Sequence, residues 1–210
     1  MQIHEIQGVQ LELLPEKAVY WPAEKTLLIA DSHLGKIRHF RKAGIALPGS
    51  AGMRNLQQLE KLLKRYRPEQ VIFLGDLFHS EMNYEWLQFK AFLENHTQTL
   101  FTLVQGNHDI LHETSYRHFD LHTTPLDYGP FTLSHDPLVE HQRYNICGHV
   151  HPGVRMTGPA RQSMRLPCYF FGERQAILPA FGVFTGLHLM KPDKGDRVYI
   201  IAGSEVMAAV

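Results

Sequence analysis

Cysteine is scarce in this chain and long apolar runs are missing. These two facts argue against a disulfide-bonded protein and against a membrane-spanning protein. Only Cys147 and Cys168 occur among 210 residues. Cys147 stands inside an apolar run, so we read it as a small buried hydrophobe and not as a disulfide partner. No apolar run approaches the roughly 18 residues that suggest a membrane span, and residues 1–15 lack the core of a signal peptide. We therefore expect a cytoplasmic protein without a membrane partner.

Internal repeats, low-complexity tracts and long linkers are also missing from the sequence. The length of 210 residues favours a single domain over residues 1–210 and suffices to bury a substantial core. A hydrophobic content of 44% with 20% charged residues is ordinary for a globular protein. Composition therefore indicates a globular chain and says nothing of its activity.

The net charge is zero, but acidic residues are missing from two stretches of the chain. One stretch lies between Asp31 and Glu60, and the other lies between Glu140 and Glu173. Their basic residues are Lys36, Arg38, Arg41, Lys42 and Arg54 in the first stretch, and Arg143, Arg155, Arg161 and Arg165 in the second. These are either solvated loop residues or an electropositive rim that attracts a polyanion such as nucleic acid. The sequence leaves both interpretations open.

The apolar pattern predicts an α/β chain, because short apolar runs bounded by Gly, Asn and Asp indicate buried strands. The predicted strands are 9–14, 18–21, 27–30, 71–74, 100–104, 131–133, 144–147, 166–171, 176–178, 183–185 and 198–202. Apolar residues at helical spacing predict helices over 51–67, capped by Ser50, and over 84–96, capped by Asn83. Strands and helices alternate up to residue 104, and strands dominate after residue 110. This order predicts two mixed sheets packed face to face with helices outside.

Five short polar motifs each follow one of these strands. They are Asp31-Ser32-His33, Gly75-Asp76, Gly106-Asn107-His108-Asp109, Ser134-His135 and Gly148-His149-Val150-His151. Ligands of open α/β sheets bind in the crevice beyond the carboxyl ends of the strands, so we expect the five motifs to meet at one place. One such motif alone would be weak evidence, because surface turns favour Asn, Asp and Gly. Five in order are specific.

The residue types in these motifs are those of a two-metal phosphoesterase site. Two divalent cations neutralise the charge of a phosphoester, lower the pKa of a bridging water and orient in-line attack. Asp76 is the best candidate for a carboxylate shared by both ions, and Asp31 and His33 suit the first ion. The predicted ligands are Asp31, His33, Asp76, Asn107, His135, His149 and His151. Mixed His, Asp and Asn ligation favours Mn²⁺, with Fe²⁺ or Zn²⁺ as alternatives.

Two further residues are predicted to take part in catalysis. His108 follows Asn107 directly and is better placed toward the substrate than toward the metals. A histidine there can protonate the leaving alkoxide or stabilise the transition state. Asp109 is expected to accept a hydrogen bond from the other ring nitrogen of His108 and to raise its pKa.

The motifs resemble those of the calcineurin-like metallophosphoesterase superfamily over about residues 27–151. The resemblance implies an α/β/β/α sandwich, in which two mixed β-sheets are flanked by helices, and a dinuclear metal centre. By position, the first metal takes Asp31, His33, Asp76 and His151, and the second takes Asp76, Asn107, His135 and His149. His108 is then the catalytic acid.

Residues 30–36, 75–80 and 178–186 extend the resemblance over most of the chain, to the bacterial DNA ligase-associated metallophosphoesterases (PdeM). That group implies endonuclease activity and a DNA-repair ligase and helicase as partners. The second motif departs from the superfamily because His79 stands three residues after Asp76. His79 is either a loop residue or an imidazole that faces the substrate. Substrate contacts are also predicted for Arg38, His39 and Arg41, with solvated loop positions as the alternative.

Taken together, the sequence predicts a metal-dependent phosphodiesterase or nuclease that acts on nucleic acid, with DNA as the preferred substrate. Hydrolysis of a small phosphoester or nucleotide is one alternative, and a binding scaffold without turnover is another. The intact ligand set argues against the scaffold. The apolar, glycine-rich segment 178–186 is read as a core strand, with the edge of a homodimer as the alternative.

Overall fold

This computed structural model describes residues 1–34, 51–78, 84–158, 162–183 and 185–209. The N-terminal half of the chain forms the first of two β-sheets. Its strands are β1 (Gln2–Ile6), β2 (Val9–Leu13), β3 (Val19–Trp21), β4 (Thr26–Ala30), β5 (Gln70–Leu74), β6 (Leu100–Val104) and β7 (Asp120–His122), side by side in that order. Strands β1 to β4 are antiparallel to their neighbours, and β4 to β7 are parallel. Helices α1 (Ala51–Tyr66) and α2 (Tyr84–Asn95) form the crossovers between β4, β5 and β6.

The second sheet carries the C-terminal half. Its strands are β8 (Leu126–Tyr128), β9 (Phe131–Leu133), β10 (Tyr144–Cys147), β11 (Pro152–Thr157), β12 (Ser163–Phe171), β13 (Gln175–Ile177), β14 (His188–Leu189), β15 (Arg197–Ala202) and β16 (Glu205–Ala208). The spatial order is β14-β11-β12-β13-β10-β9-β8, and β15 pairs with both β12 and β16. Strands β9, β10 and β13 are parallel neighbours. A short 3₁₀ helix, Glu113–Tyr116, precedes β7.

The main core lies between the two sheets. Leu28 and Ile72 of the first sheet share it with Ile146 and Tyr169 of the second. Successive residues of a strand point to opposite faces, so Leu27, Ile29, Val71 and Phe73 line a second core against α1 and α2 instead. The expected sandwich of two mixed sheets is confirmed, and the two described α-helices flank the first sheet.

The sequence predicted the buried strands and both helices well and the edges poorly. The helices end one residue earlier than predicted, and their predicted caps Ser50 and Asn83 lie outside the described residues. The strands missed by the sequence are β1, β7, β8, β11, β14 and β16. Most of these are short or partly exposed, so they lack the continuous apolar run on which the prediction depended.

The predicted strand over 183–185 is wrong for the residues that are described. Val183 lies in a turn and Thr185 lies in no strand, while Phe184 falls outside the described residues. The segment before it packs against the end of β4, where the Phe181 amide donates to the Ala30 carbonyl at 2.9 Å. Ala180 and Phe181 are buried. This part of segment 178–186 therefore belongs to the core, as expected, but it contributes one isolated bridge instead of a strand.

The α-helices and the two cysteines bear on the predictions about a membrane span and a disulfide. Among the described residues, neither α-helix combines the length and apolar character needed to cross a bilayer. Cys147 and Cys168 are both free and buried, so the reading of Cys147 as a small buried hydrophobe is confirmed.

Tyr169 ties the second sheet to the N-terminal strands and provides a test of this packing. Its buried hydroxyl lies 2.7 Å from the Leu14 carbonyl and 2.8 Å from the Ala18 carbonyl. Burial raises the pKa of this hydroxyl well above its ordinary value, so it remains a donor. Both carbonyls also accept backbone N–H groups, so we expect Tyr169→Phe to lower the free energy of unfolding by only about 1–2 kcal/mol.

Urea denaturation measures this change, and Tyr20→Phe is the matched control. No hydrogen bond to the Tyr20 hydroxyl occurs within the described part of the chain, so its removal should change stability by less than about 0.5 kcal/mol. Equal effects of the two substitutions would contradict the role given to Tyr169.

Candidate metal centre

The five polar motifs meet at one edge of the two sheets, because the strands that carry them end at the same level. In the first sheet, Ala30 pairs with Leu74 and Leu74 pairs with Val104, so β4, β5 and β6 end flush. In the second sheet, β9 and β10 end together in the same way, with Leu133 opposite Ile146. The motif residues that follow these strands therefore face one crevice, as expected for the carboxyl ends of parallel strands.

Six of the seven predicted ligands form two groups in which the potential ligand atoms lie within 4.8 Å of one another. The first group is Asp31, His33 and His151, and the second is Asp76, His135 and His149. The seventh, Asn107, joins the second group, because its Oδ1 lies 2.9 Å from Nε2 of His135. This division agrees with the ligand sets that the family resemblance implies. The ligand role of each residue, and the sharing of Asp76 by both ions, stay predictions.

The first group contains a buried acceptor that the protein leaves unsatisfied. Asp31 is fully buried, and its Oδ2 accepts the backbone N–H of His149 at 2.9 Å. Among the described residues its Oδ1 has no hydrogen-bond partner, and it lies 3.5 Å from Nε2 of His151. The Nε2 atoms of His33 and His151 are 3.2 Å apart. A buried carboxylate oxygen without a partner is costly, and a cation among these three atoms would satisfy all of them.

The second group is organised around the tautomer of His135. Nδ1 of His135 lies 3.1 Å from the Leu74 carbonyl oxygen, which can only accept, so Nδ1 carries the proton. In the neutral ring Nε2 then presents a lone pair, 2.9 Å from Asn107 Oδ1 and 3.3 Å from Asp76 Oδ1. Nδ1 of His149 is 3.0 Å from the same Nε2. Facing acceptors repel one another, so this arrangement fits a divalent cation with mixed nitrogen and oxygen ligands.

Backbone amides fix the positions of both carboxylates. The His108 amide donates to Asp76 Oδ1 at 3.0 Å, as the His149 amide does to Asp31. The two loops are also joined directly, since the His33 amide donates to the Asp76 carbonyl at 2.9 Å. Nδ1 of His135 lies 3.9 Å from Asp31 Oδ1, which brings the two groups into contact. They therefore form one centre with two candidate ion positions.

The backbone of this centre is strained. Five of the candidate ligands have left-handed φ angles, namely Asp31 (52°), His33 (45°), Asp76 (48°), His149 (67°) and His151 (54°). Residues other than glycine rarely adopt this region, and each such residue costs on the order of 1–3 kcal/mol. Strain concentrated at the candidate ligands indicates a functional constraint and not a folding requirement.

Two glycines allow the ligands to approach the strands. Gly75 has φ +72°, and a Cβ added there would lie 2.3 Å from Nδ1 of His135. A Cβ at Gly148 would lie 2.5 Å from Asp31 Oδ2. Both contacts are far shorter than van der Waals distance, so any side chain at either position must displace a candidate ligand.

His108 and Asp109 occupy the loop after β6, but their contacts differ from the predicted ones. The half-buried His108 ring lies beside that of His33, with 6.0 Å between centroids. Asp109 is buried, and its carboxylate accepts the amides of Gly106 at 2.9 Å and Phe78 at 3.1 Å. The predicted hydrogen bond between Asp109 and the His108 ring is not among those of the described residues. Asp109 instead ties the loop after β5 to the loop after β6.

Burial raises the pKa of the Asp109 carboxyl to about 6, and its two backbone hydrogen bonds oppose that shift. Asp109 is thus a buried acid that holds loops together, a positioning role that its sequence neighbourhood did not predict. The predicted substrate contacts His79, Arg38, His39 and Arg41 lie outside the described residues.

Sequence reasoning missed two residues that support the centre. Asn55 of α1 donates from Nδ2 to the Ser32 carbonyl at 2.9 Å and accepts the Val183 amide at 3.2 Å, which holds the loop of Asp31 and His33 in place. Its spacing of four residues from Leu59, on the apolar side of the helix, was an available signal. Asp136 follows His135 directly, and its Oδ1 lies 3.3 Å from Nδ1 of His149.

The chain was then compared with known proteins. A family model described as calcineurin-like phosphoesterase matches residues 24–151. The structure is similar to the crystal structure of Pseudomonas putida nuclease MPE, with 30% sequence identity, a TM-score of 0.82, and coverage of 99% of this chain and 98% of that one. A phosphoesterase from E. coli, YfcE, gives a TM-score of 0.43 at 13% identity over 87% of this chain and 96% of that one. Comparison with curated proteins gives no match.

The fold and the site define a metal-dependent phosphoesterase. The chain belongs to the calcineurin-like phosphoesterase family.

The close approach of Gly75 to His135 leads to a prediction about metal affinity. Gly75→Ala should push the His135 ring out of the second group and weaken binding of Mn²⁺ about 10- to 100-fold, the loss typical when a ligand loses its orientation. Isothermal titration calorimetry with Mn²⁺ measures this affinity.

Gly8 provides a matched control, because its φ of +74° is similar while a Cβ there would meet nothing within 4 Å. Gly8→Ala introduces the same backbone strain, about 1 kcal/mol, and should leave Mn²⁺ affinity unchanged. If both substitutions weakened the metal equally, the cause would be strain and not the position of His135.

Proposed function

We propose that this protein is a dinuclear metal-dependent phosphodiesterase that cleaves nucleic acid, with DNA as the preferred substrate. The observation that carries the proposal is the meeting of two groups of acceptor atoms at one crevice, where the buried Asp31 Oδ1 has no hydrogen-bond partner in the described part of the chain. The similarity over nearly the whole chain to a structure described as a nuclease supports a nucleic-acid substrate.

In this proposal, one divalent ion is held by Asp31, His33 and His151, and the other by Asp76, Asn107, His135 and His149, with Asp76 shared. The bound ions neutralise the phosphate charge and supply a nucleophile at neutral pH. Nitrogen and oxygen ligands together favour Mn²⁺, with Fe²⁺ or Zn²⁺ as alternatives. The chain's own contribution to the reaction is to orient the ligands through backbone amides and to transfer a proton.

His108 is the proposed proton donor. Its backbone amide is fixed by Asp76, and its half-buried ring lies beside the ring of His33. A half-buried ring beside the centre can reach the leaving oxygen of a bound phosphodiester, while Asp31, His33, Asp76 and His135 are buried. Asp109 keeps this loop against the loop of Phe78 and acts as a positioning residue.

The finer features of the proposal follow from the resemblance to the ligase-associated group. We propose a DNA-repair context with a DNA ligase and a helicase as partners, a cytoplasmic location, and one domain over residues 1–210. The shared core from Leu11 to Val206 supports a single domain. A homodimer is not favoured by segment 178–186, since Ala180 and Phe181 are buried within this chain.

The proposal is tested by measuring Mn²⁺-dependent turnover on single-stranded DNA, duplex DNA, RNA and bis-p-nitrophenyl phosphate in parallel. We expect DNA cleavage that is abolished by a chelator and restored by Mn²⁺. Turnover of small phosphoesters with no DNA cleavage under any metal would favour the small-substrate alternative. Full metal occupancy with no turnover on any substrate would favour a binding scaffold.

The proposed role of His108 predicts a specific loss. His108→Ala should lower kcat on DNA about 10²- to 10⁴-fold, the usual contribution of general acid catalysis, and should leave the bound metal in place. Steady-state kinetics and metal analysis of the same sample measure both quantities.

His96→Ala is the control for this prediction. His96 lies at the other end of the first sheet, where its amide donates to Leu93 and its carbonyl accepts the Thr99 amide just before β6. Its replacement should not change kcat. Undiminished activity of His108→Ala with both metals bound would refute the proposed proton transfer.

A further inference from the structure

Strands β11 and β12 form a hairpin whose outer part projects from the second sheet. Residues 155–157 and 163–165 are exposed, whereas Pro152, Gly153 and residues 168–171 are buried. Val154 and Leu166 pack against a cluster that includes Cys147 and Cys168 and so anchor the hairpin. We call the exposed residues 155–157 and 163–165 the finger. The inner end of the hairpin is fixed to the body of the protein, and the finger residues are exposed on both faces.

Two arginines of the finger lie directly opposite each other. Arg155 pairs with Arg165 in the antiparallel register, so both side chains lie on the same face of the hairpin. Like charges at directly opposed positions destabilise a sheet. Within the described residues neither arginine forms an ion pair, whereas Arg143 of the same basic stretch pairs with Asp127 at 3.1 Å. The finger therefore concentrates two positive charges that the described protein does not neutralise.

The hairpin that carries the finger begins beside the metal centre. Strand β11 starts at Pro152, immediately after the candidate ligand His151. The His188 amide donates to the His151 carbonyl at 2.9 Å, and β14 continues from there alongside β11. This pairing fixes the base of the hairpin at the site. At about 3.3 Å per residue, Arg155 lies roughly 13 Å along the strand from His151.

We propose that Arg155 and Arg165 bind backbone phosphates of a nucleic-acid strand whose scissile phosphodiester lies at the metal centre. This inference rests on the proposed function. Guanidinium groups bind phosphate with paired hydrogen bonds, and a phosphate between them removes the repulsion across the hairpin. Successive phosphates of one B-DNA strand are about 3.4 Å apart along the helix axis and farther apart along the strand itself, so the phosphate bound at the finger is a few nucleotides at most from the cleaved one. A substrate with a single phosphodiester is too short to reach the finger.

The opposite face of the finger favours a different class of partner. Met156 and Met164 are paired there and exposed, at 43% and 63% of their surface. An exposed apolar pair can dock a protein, and its binding would depend little on salt. We favour nucleic acid because the arginine face lies next to a phosphoesterase centre and has complementary charge. A protein partner is left as an outcome of the test.

The test uses the full chain with the double substitution Arg155→Gln and Arg165→Gln. We expect kcat/KM on a long DNA oligonucleotide to fall roughly tenfold or more relative to kcat/KM on bis-p-nitrophenyl phosphate, since hydrogen bonds between charged groups are lost. The slope of log affinity against log salt, measured by fluorescence anisotropy, should fall by about 0.7–0.9 for each phosphate contact removed.

Arg143→Gln is the matched control, because it removes the same charge from a neutralised arginine just before β10, at the end of that strand away from His149. It should change neither the kinetic ratio nor the salt slope. Arg155→Glu separates binding from folding. It creates an opposite-charge pair with Arg165, so thermal stability should be kept or raised while DNA affinity falls further than in the double variant.

The outcomes separate this inference from the proposed function. If wild type cleaves DNA but the double variant has the wild-type ratio and salt slope, the finger inference is wrong and the nuclease proposal stands. If wild type cleaves no nucleic acid, the proposed function fails first. Unchanged DNA affinity and an unchanged salt slope in the arginine variant would overturn the phosphate contact and leave the exposed pair Met156 and Met164, with a protein partner, as the contact that the finger offers.

Discussion

The structure depends on a repulsive arrangement of acceptor atoms that a positive charge can stabilise. Asp31 is buried, and one of its oxygens has no hydrogen-bond partner within the residues that the structure describes, while the lone pair of His135 Nε2 faces oxygens of Asp76 and Asn107. Burial of a polar or charged group costs free energy relative to water unless the group is hydrogen-bonded or paired with an opposite charge. Backbone amides from His108 and His149 compensate only part of the cost. The arrangement is consistent with a chain selected for cation binding and not for the stability of the ion-free protein.

The rest of the fold serves to hold these atoms at short distances. Flush ends of β4, β5 and β6 bring three loops to one level, and the inter-sheet core places the loops after β9 and β10 opposite them. Left-handed φ angles at five candidate ligands then turn the chain within four residues of the ends of β4, β5 and β10. The fold tolerates this local strain because each of these strands is buried on both faces. The close approach of these loops to one another requires the absence of a side chain at Gly75 and at Gly148.

Much of the fold and nearly all of the candidate site could be predicted from the sequence. Buried parallel strands appear in the sequence as continuous apolar runs, and a motif that follows such a run must lie at the end of the strand. The meeting of the seven predicted ligands could therefore be predicted without knowing the order of the strands in the sheets. Edge strands such as β7 and β14 were missed because their pairing depends on neighbours distant in sequence and not on local pattern. Asp109 shows the same limit at the level of a side chain. Its adjacency to His108 suggested a contact with that ring, whereas the fold turns its carboxylate toward the amides of Gly106 and Phe78.

The charge distribution connects the metal centre with the finger. Asp31 and Asp76 give the ion-free centre a negative charge, which repels phosphate, and two divalent ions convert it to a positive one. A protein of zero net charge has no general attraction for a polyanion, so a substrate strand must be attracted by a local positive patch. Arg155 and Arg165 remain positive whether or not the centre is loaded. The finger therefore supplies an attraction that does not depend on metal, and the loaded centre adds one that does. Because His151 directly precedes β11, the metal centre and the finger are held at a fixed separation, and both attract the same nucleic-acid strand.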